Sequence, residues 1–73
     1  MTDDEKFEEF MNRARREWST KSDTQKKAIV SSFSKFKDFC KDVAGWLWDS
    51  ICDILDSIGD GLTWLWEKIT SWF

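Results

Sequence analysis

From Ile29 onward an apolar residue recurs every three or four positions: Ile29, Phe33, Phe36, Cys40, Val43, Leu47, Ile51, Ile54, Ile58, Leu62, Leu65, Ile69 and Trp72. That step is the period of an α-helix viewed from one side, whereas a half-buried strand alternates every two residues. The 73 residues contain no proline, so only the three glycines, Gly45, Gly59 and Gly61, offer conformations that interrupt a helix. The spacing predicts an all-α chain. It consists of a short N-terminal helix plus a long Trp-rich amphipathic helix, either continuous or kinked, or else turned into a hairpin at Gly59–Gly61.

The helix boundaries follow from capping chemistry. Thr2-Asp3-Asp4-Glu5 has the form of a capping box, in which Thr2 and Glu5 satisfy each other's orphan backbone donors and the acids suit the helix dipole. Phe7, Phe10, Met11, Ala14 and Trp18 then follow at helical spacing, which places helix 1 over residues 3–18. Residues 19–23 form a polar turn, where Ser22 and Gln25 offer a second capping box. Helix 2 is expected over 24–58, and 62–73 is its continuation or a third helix. At this length the whole chain is one domain, small enough that help from a partner, a membrane or self-association is common.

Charge is distributed unevenly. Nine basic and seven acidic side chains precede Asp38, whereas from Asp38 onward there are two basic and seven acidic. A nucleic-acid binder normally carries a basic patch, so nucleic acid is an unfavourable partner for the Trp-rich half. Enzymatic chemistry is not expected. The chain has no histidine, no Cys-x-x-Cys spacing, no glycine-rich phosphate loop and no nucleophile beside a base. No metal site or cofactor is predicted either. Asp53 and Asp56 on one exposed face offer too few oxygen ligands for a hard cation.

Cys40 and Cys52 stand roughly 18 Å apart along a continuous helix, beyond disulfide reach, and read as reduced core residues of an intracellular protein. The acidic N-terminal residues do not resemble a signal peptide, and no run of eighteen apolar residues spans a bilayer. An intracellular location with peripheral or integral membrane association is the expectation.

The motif Trp-Leu-Trp occurs twice, at Trp46-Leu47-Trp48 and Trp64-Leu65-Trp66. Projected at 100° per residue, Val43, Ala44, Leu47, Trp48, Ile51, Cys52, Ile54, Leu55 and Ile58 cover about half the circumference. Asp42, Asp49, Asp53, Asp56 and Asp60 form an acidic face opposite. In the second copy Leu62, Leu65, Trp66, Ile69, Trp72 and Phe73 continue the apolar arc. Trp46 and Trp64 project with the aspartates instead.

Trp48-Asp49, Ile51-Cys52, Leu55 and Thr63-Trp64-Leu65 resemble the amphipathic membrane-anchor helix of hepacivirus nonstructural protein 5A over residues 46–65. The resemblance implies membrane contact for Trp46, Trp48, Trp64 and their apolar neighbours. Tryptophan favours the headgroup level, and a large apolar moment with modest mean hydropathy suits a helix lying in that interface. The aspartates oppose this on anionic lipid. In a continuous helix the two Trp-Leu-Trp copies lie about 27 Å apart, close to the ~30 Å hydrocarbon core, which would let an oligomer form a pore lined by the acidic face.

The expected partners are therefore a lipid bilayer, further copies of the chain, or both, through Trp46, Leu47, Trp48, Ile51, Ile54, Leu55, Ile58, Leu62, Trp64, Leu65, Trp66, Ile69, Trp72 and Phe73. The competing reading is a soluble homo-oligomer or adaptor bundle that acts by protein–protein interaction, in which the same stripe meets another helix. A third makes the acidic face a phosphate mimic that blocks a DNA-binding protein.

Overall fold

The structure is a computed structural model that describes residues 2–72, and those residues form helices and connecting turns with no strand. Helix α1 spans Asp3–Ser19, α2 Asp23–Ser31, α3 Phe33–Ala44, α4 Trp48–Ile58 and α5 Gly61–Thr70, with a single 3₁₀ turn at Gly45–Leu47 joining α3 to α4. Both predicted capping boxes are present. Thr2 Oγ1 accepts from the Glu5 N–H at 3.2 Å, and Ser22 Oγ accepts from the Gln25 N–H at 3.2 Å, each with the reciprocal side-chain bond.

The single helix expected over 24–58 is instead divided. Ser32 is extended at φ −135°, and its hydroxyl accepts from the Lys35 N–H at 3.5 Å to start α3. Serine side chains compete for backbone groups and favour this cap position, and the β-branched pair Ile29-Val30 just before it is a weak helix former. Residues 33–58 then run as one kinked rod. The kink sits at Gly45, whose φ of +55° and ψ of −122° are reached at low cost only without a Cβ. The carbonyl of Ala44, just before the kink, accepts from the Arg13 guanidinium at 3.4 Å, so α1 braces the bend.

At Gly59–Gly61 the chain turns, so continuation as one long helix is overturned. Gly59 ends α4 at φ +92°. Gly61 opens α5 so close to α4 that a Cβ there would lie 2.7 Å from the Leu55 Cα. The separation of ~27 Å between two tryptophan belts in a continuous helix is lost with that helix, and no described helix is long and apolar enough to cross a membrane.

The apolar stripe closes on itself. α1 packs on α3 and α4, α2 lies along α3, and α5 lies against α4, within a body of 34 × 22 × 18 Å. Phe10, Ala14 and Trp18 of α1 meet Phe36, Phe39, Cys40, Val43, Ala44, Leu47, Ile51 and Leu55 of the rod and Leu65 and Ile69 of α5 in a single core. Each Leu or Ile buried this way contributes roughly 1.5–3 kcal/mol. Helix 1 thus supplies the matching face for the Trp-rich half.

Candidate interaction surface

The interior first claims much of the Trp-rich half. Of the residues expected at a membrane or oligomer interface, Leu47, Ile51, Leu55, Leu65 and Ile69 are buried within the chain's own core. Trp48, Ile54, Leu62, Trp66 and Trp72 are partly buried against it. Trp46, Ile58 and Trp64 are exposed, and Phe73 lies outside the described residues. The projection that set Trp46 and Trp64 on the polar side holds. The same projection put Ile58 on the apolar arc, yet it is solvent-exposed because the chain turns one residue later.

The tryptophans differ in how far intramolecular contacts occupy them. Trp66 donates its indole N–H to the Val30 carbonyl at 3.2 Å, satisfying an acceptor at the C-terminal end of α2 that the helix leaves open. The Trp72 ring stands edge-on to Trp18 at 6.5 Å, with the Arg15 guanidinium 5.6 Å from its centre. Trp64, though 39% exposed, is flanked by Phe7 at 5.9 Å and by the Lys68 ammonium at 5.3 Å.

Trp46 is different. Lying directly after the Gly45 kink, it is 69% exposed. It shares an open hollow of about 400 Å³ with Trp48, Gly45, Lys41, Asp42 and Asp49. Gly45, whose positive φ sets the direction in which the chain leaves α3, lies in the lining of this hollow. The exposed Trp46 indole thus stands beside the half-buried Trp48, rimmed by Lys41, Asp42 and Asp49.

The acidic face extends from this hollow. Asp42, Asp49, Asp53, Asp56 and Asp60 are all exposed, and Asp49, Asp53 and Asp56 recur at helical spacing along α4. Their field reaches the Cys52 thiol, whose pKa is raised by desolvation first and then by Asp56, Asp49 and Asp53, with Lys37 opposing. Cys40 is fully buried, and desolvation pushes its thiol up to about 12. Both cysteines are free thiols. Among the described residues no three Cys, Asp or Glu side chains gather to hold a metal ion.

Sequence reasoning did not single out Lys41, Gly45 or the α1 cations Arg13 and Arg16 as parts of a surface. Gly45 alone carried a usable signal, as an isolated glycine inside a helical pattern; nothing in the spacing foretold that α1 would bring its arginines beside Asp42. Fold and site together define a small all-α protein with an exposed tryptophan set in an acidic surface. No protein-family model, curated protein or solved structure matches the chain.

Proposed function

We propose that this is a non-enzymatic binding protein whose working surface is the Trp46–Trp48 hollow and the acidic face beside it, and that it docks a basic surface of a partner protein. The observation that carries this reading is the exposure of Trp46 next to Trp48, between Asp42 and Asp49. Tryptophan supplies a large, rigid contact area, and the surrounding carboxylates favour positively charged partners while speeding encounter. A nucleic-acid-binding surface is one such basic surface, which keeps the phosphate-mimic idea within the same reading.

Lipid is the less favoured occupant. The apolar arc that an interfacial helix would bury in a bilayer is largely occupied by α1 and α5, and carboxylates flank the exposed indole. The resemblance to a membrane anchor supports a contact of Trp46 and Trp64 with neutral headgroups, and the test below includes that outcome.

The experiment compares the wild-type chain with Trp46→Ser and Asp49→Lys for binding to a basic amphipathic helical peptide and to vesicles of neutral and anionic lipid. Binding of the peptide that weakens about tenfold or more in Trp46→Ser, and further as salt rises, supports the proposal. A blue shift with neutral vesicles that is lost in Trp46→Ser, with no peptide binding, overturns it in favour of membrane contact.

A further inference from the structure

A second hollow adjoins the first. It holds about 470 Å³ and is lined by Arg13, Arg16 and Glu17 of α1, Lys21 of the following turn, and Phe39, Asp42 and Val43 of α3. Asp42 lines both hollows, so they meet at that side chain. Phe39, Asp42 and Val43 share one face of α3 and line the second hollow, and Trp46 stands past the Gly45 kink in the first.

The ends of the combined groove differ in charge. Apart from the shared Asp42, the α1 end has three cations, Arg13, Arg16 and Lys21, and one carboxylate, Glu17. The α4 end has Lys41 against Asp49, with Asp53 and Asp56 exposed at i+4 and i+7 from Asp49 on the same helix. The Arg13 guanidinium is held by Glu9 at 3.0 Å and by the Ala44 carbonyl at 3.4 Å, so it is a fixed part of the wall. Arg16 projects into solvent beside it. Between the ends stand the exposed Asp42 carboxylate and the nearly buried Phe39 and Val43, and the open apolar surface is that of Trp46 and the half-buried Trp48 beyond.

We infer that the groove takes a single amphipathic helix of a partner protein whose charge is divided along its length. Its acidic end lies over Arg16 and Lys21, its basic end over Asp49 and Asp53, and its apolar stripe lies against Trp46 and Trp48. This rests on the proposed function and narrows it from a basic partner surface to a charge-polarised helix in one orientation. Complementary charge at both ends fixes direction, because the reversed helix would set like charges together at each end.

The test uses three synthetic helical peptides with the same apolar stripe. One carries glutamates in one half and lysines in the other, a second has the same residues interleaved, and a third carries lysine throughout. Binding is followed by titration at low salt against the wild-type chain and the Arg16→Glu/Lys21→Glu variant, whose folding is checked by circular dichroism and melting. The wild type should bind the divided peptide about tenfold more tightly than the interleaved one, the sum expected of a few exposed pairs. The variant should lose that preference and turn to the all-lysine peptide. Equal affinity of the wild type for the divided and interleaved peptides, with binding still dependent on Trp46, overturns the inference and leaves the proposed function standing. Failure of all three peptides to bind overturns both. A mass that doubles with concentration in the wild type but not in Trp46→Ser gives the groove to a second copy of the chain and overturns the inference as well.

Discussion

Single residues set the turns of this chain, and two of them are glycines with different tasks. Gly45 is needed for its backbone angle, since a Cβ there meets nothing within 4 Å, whereas Gly61 is needed for space, since a Cβ there collides with the backbone of Leu55. Gly61→Ala should therefore push α5 away from α4 and lower stability by about 1–3 kcal/mol, read as a fall in the denaturation midpoint. The sequence marked Gly59–Gly61 as a place of decision without resolving it. Periodicity continues across the glycines because Leu62, Leu65 and Ile69 serve the same core from a second helix, and a helical repeat is silent on whether the core lies beside the next turn or across a bend. The cysteines make a second prediction at this scale. The Cys40 thiol is pushed up to about 12 in the folded protein against an ordinary 9.0. Between those values the unfolded chain releases a proton that the folded chain keeps, so stability falls as pH rises through this window and is unaffected by Cys40 below it. The loss of melting temperature between pH 8 and pH 10.5 should be smaller in Cys40→Ala than in the wild type. Alkylation near pH 8 should label Cys52 well before Cys40.

At the scale of elements, the helix starts were the most legible feature and the breaks within the apolar run the least. Thr2 with Glu5 and Ser22 with Gln25 signal their caps by residue type alone, because the chemistry is local. Ser32 starts α3 by the same kind of side-chain bond but lacks a glutamate or glutamine at the third helical position, where Lys35 stands, so the break after α2 had no comparable mark. α2 is also the helix with no fully buried residue. It is attached along α3, by Ile29 and Val30 packed against the core, by Lys26 over the Trp18 ring of α1 at 5.9 Å, and by the bond from the Trp66 indole of α5 to the Val30 carbonyl. Trp66→Phe keeps most of the ring and removes that donor. It should cost about 1 kcal/mol, rising if the Val30 carbonyl is left dry, and should speed amide exchange in α2 more than in α3 or α4.

For the whole molecule, the repeated Trp-Leu-Trp has a different meaning in each copy. Leu47 and Leu65 are both fully buried, and between them the two motifs tie the kinked rod and α5 into one interior. The outer tryptophans diverge: Trp66 caps α2, Trp64 is flanked by Phe7 and Lys68, and Trp46 remains open beside Trp48. The projection of the sequence separated Trp46 and Trp64 from the apolar arc because that separation depends only on the period of the helix. It said nothing of the basic wall of α1, because bringing Arg13 and Arg16 beside Asp42 is a tertiary event between segments some thirty residues apart. The chain buries most of its own stripe, and of the large apolar side chains left outside, Phe33, Trp46, Ile58 and Trp64, the Trp46 indole is the most open.

Acrylamide quenching of tryptophan emission in the wild type and in Trp46→Phe tests this division between core and surface most directly. Emission from the wild type should contain one strongly quenched, red-edged component, and Trp46→Phe should remove most of it while leaving the melting temperature within a few degrees. Quenching that is strong and evenly shared among the six tryptophans, and unchanged by Trp46→Phe, would contradict it. The Trp-rich stripe would then be an open face rather than the interior of the protein.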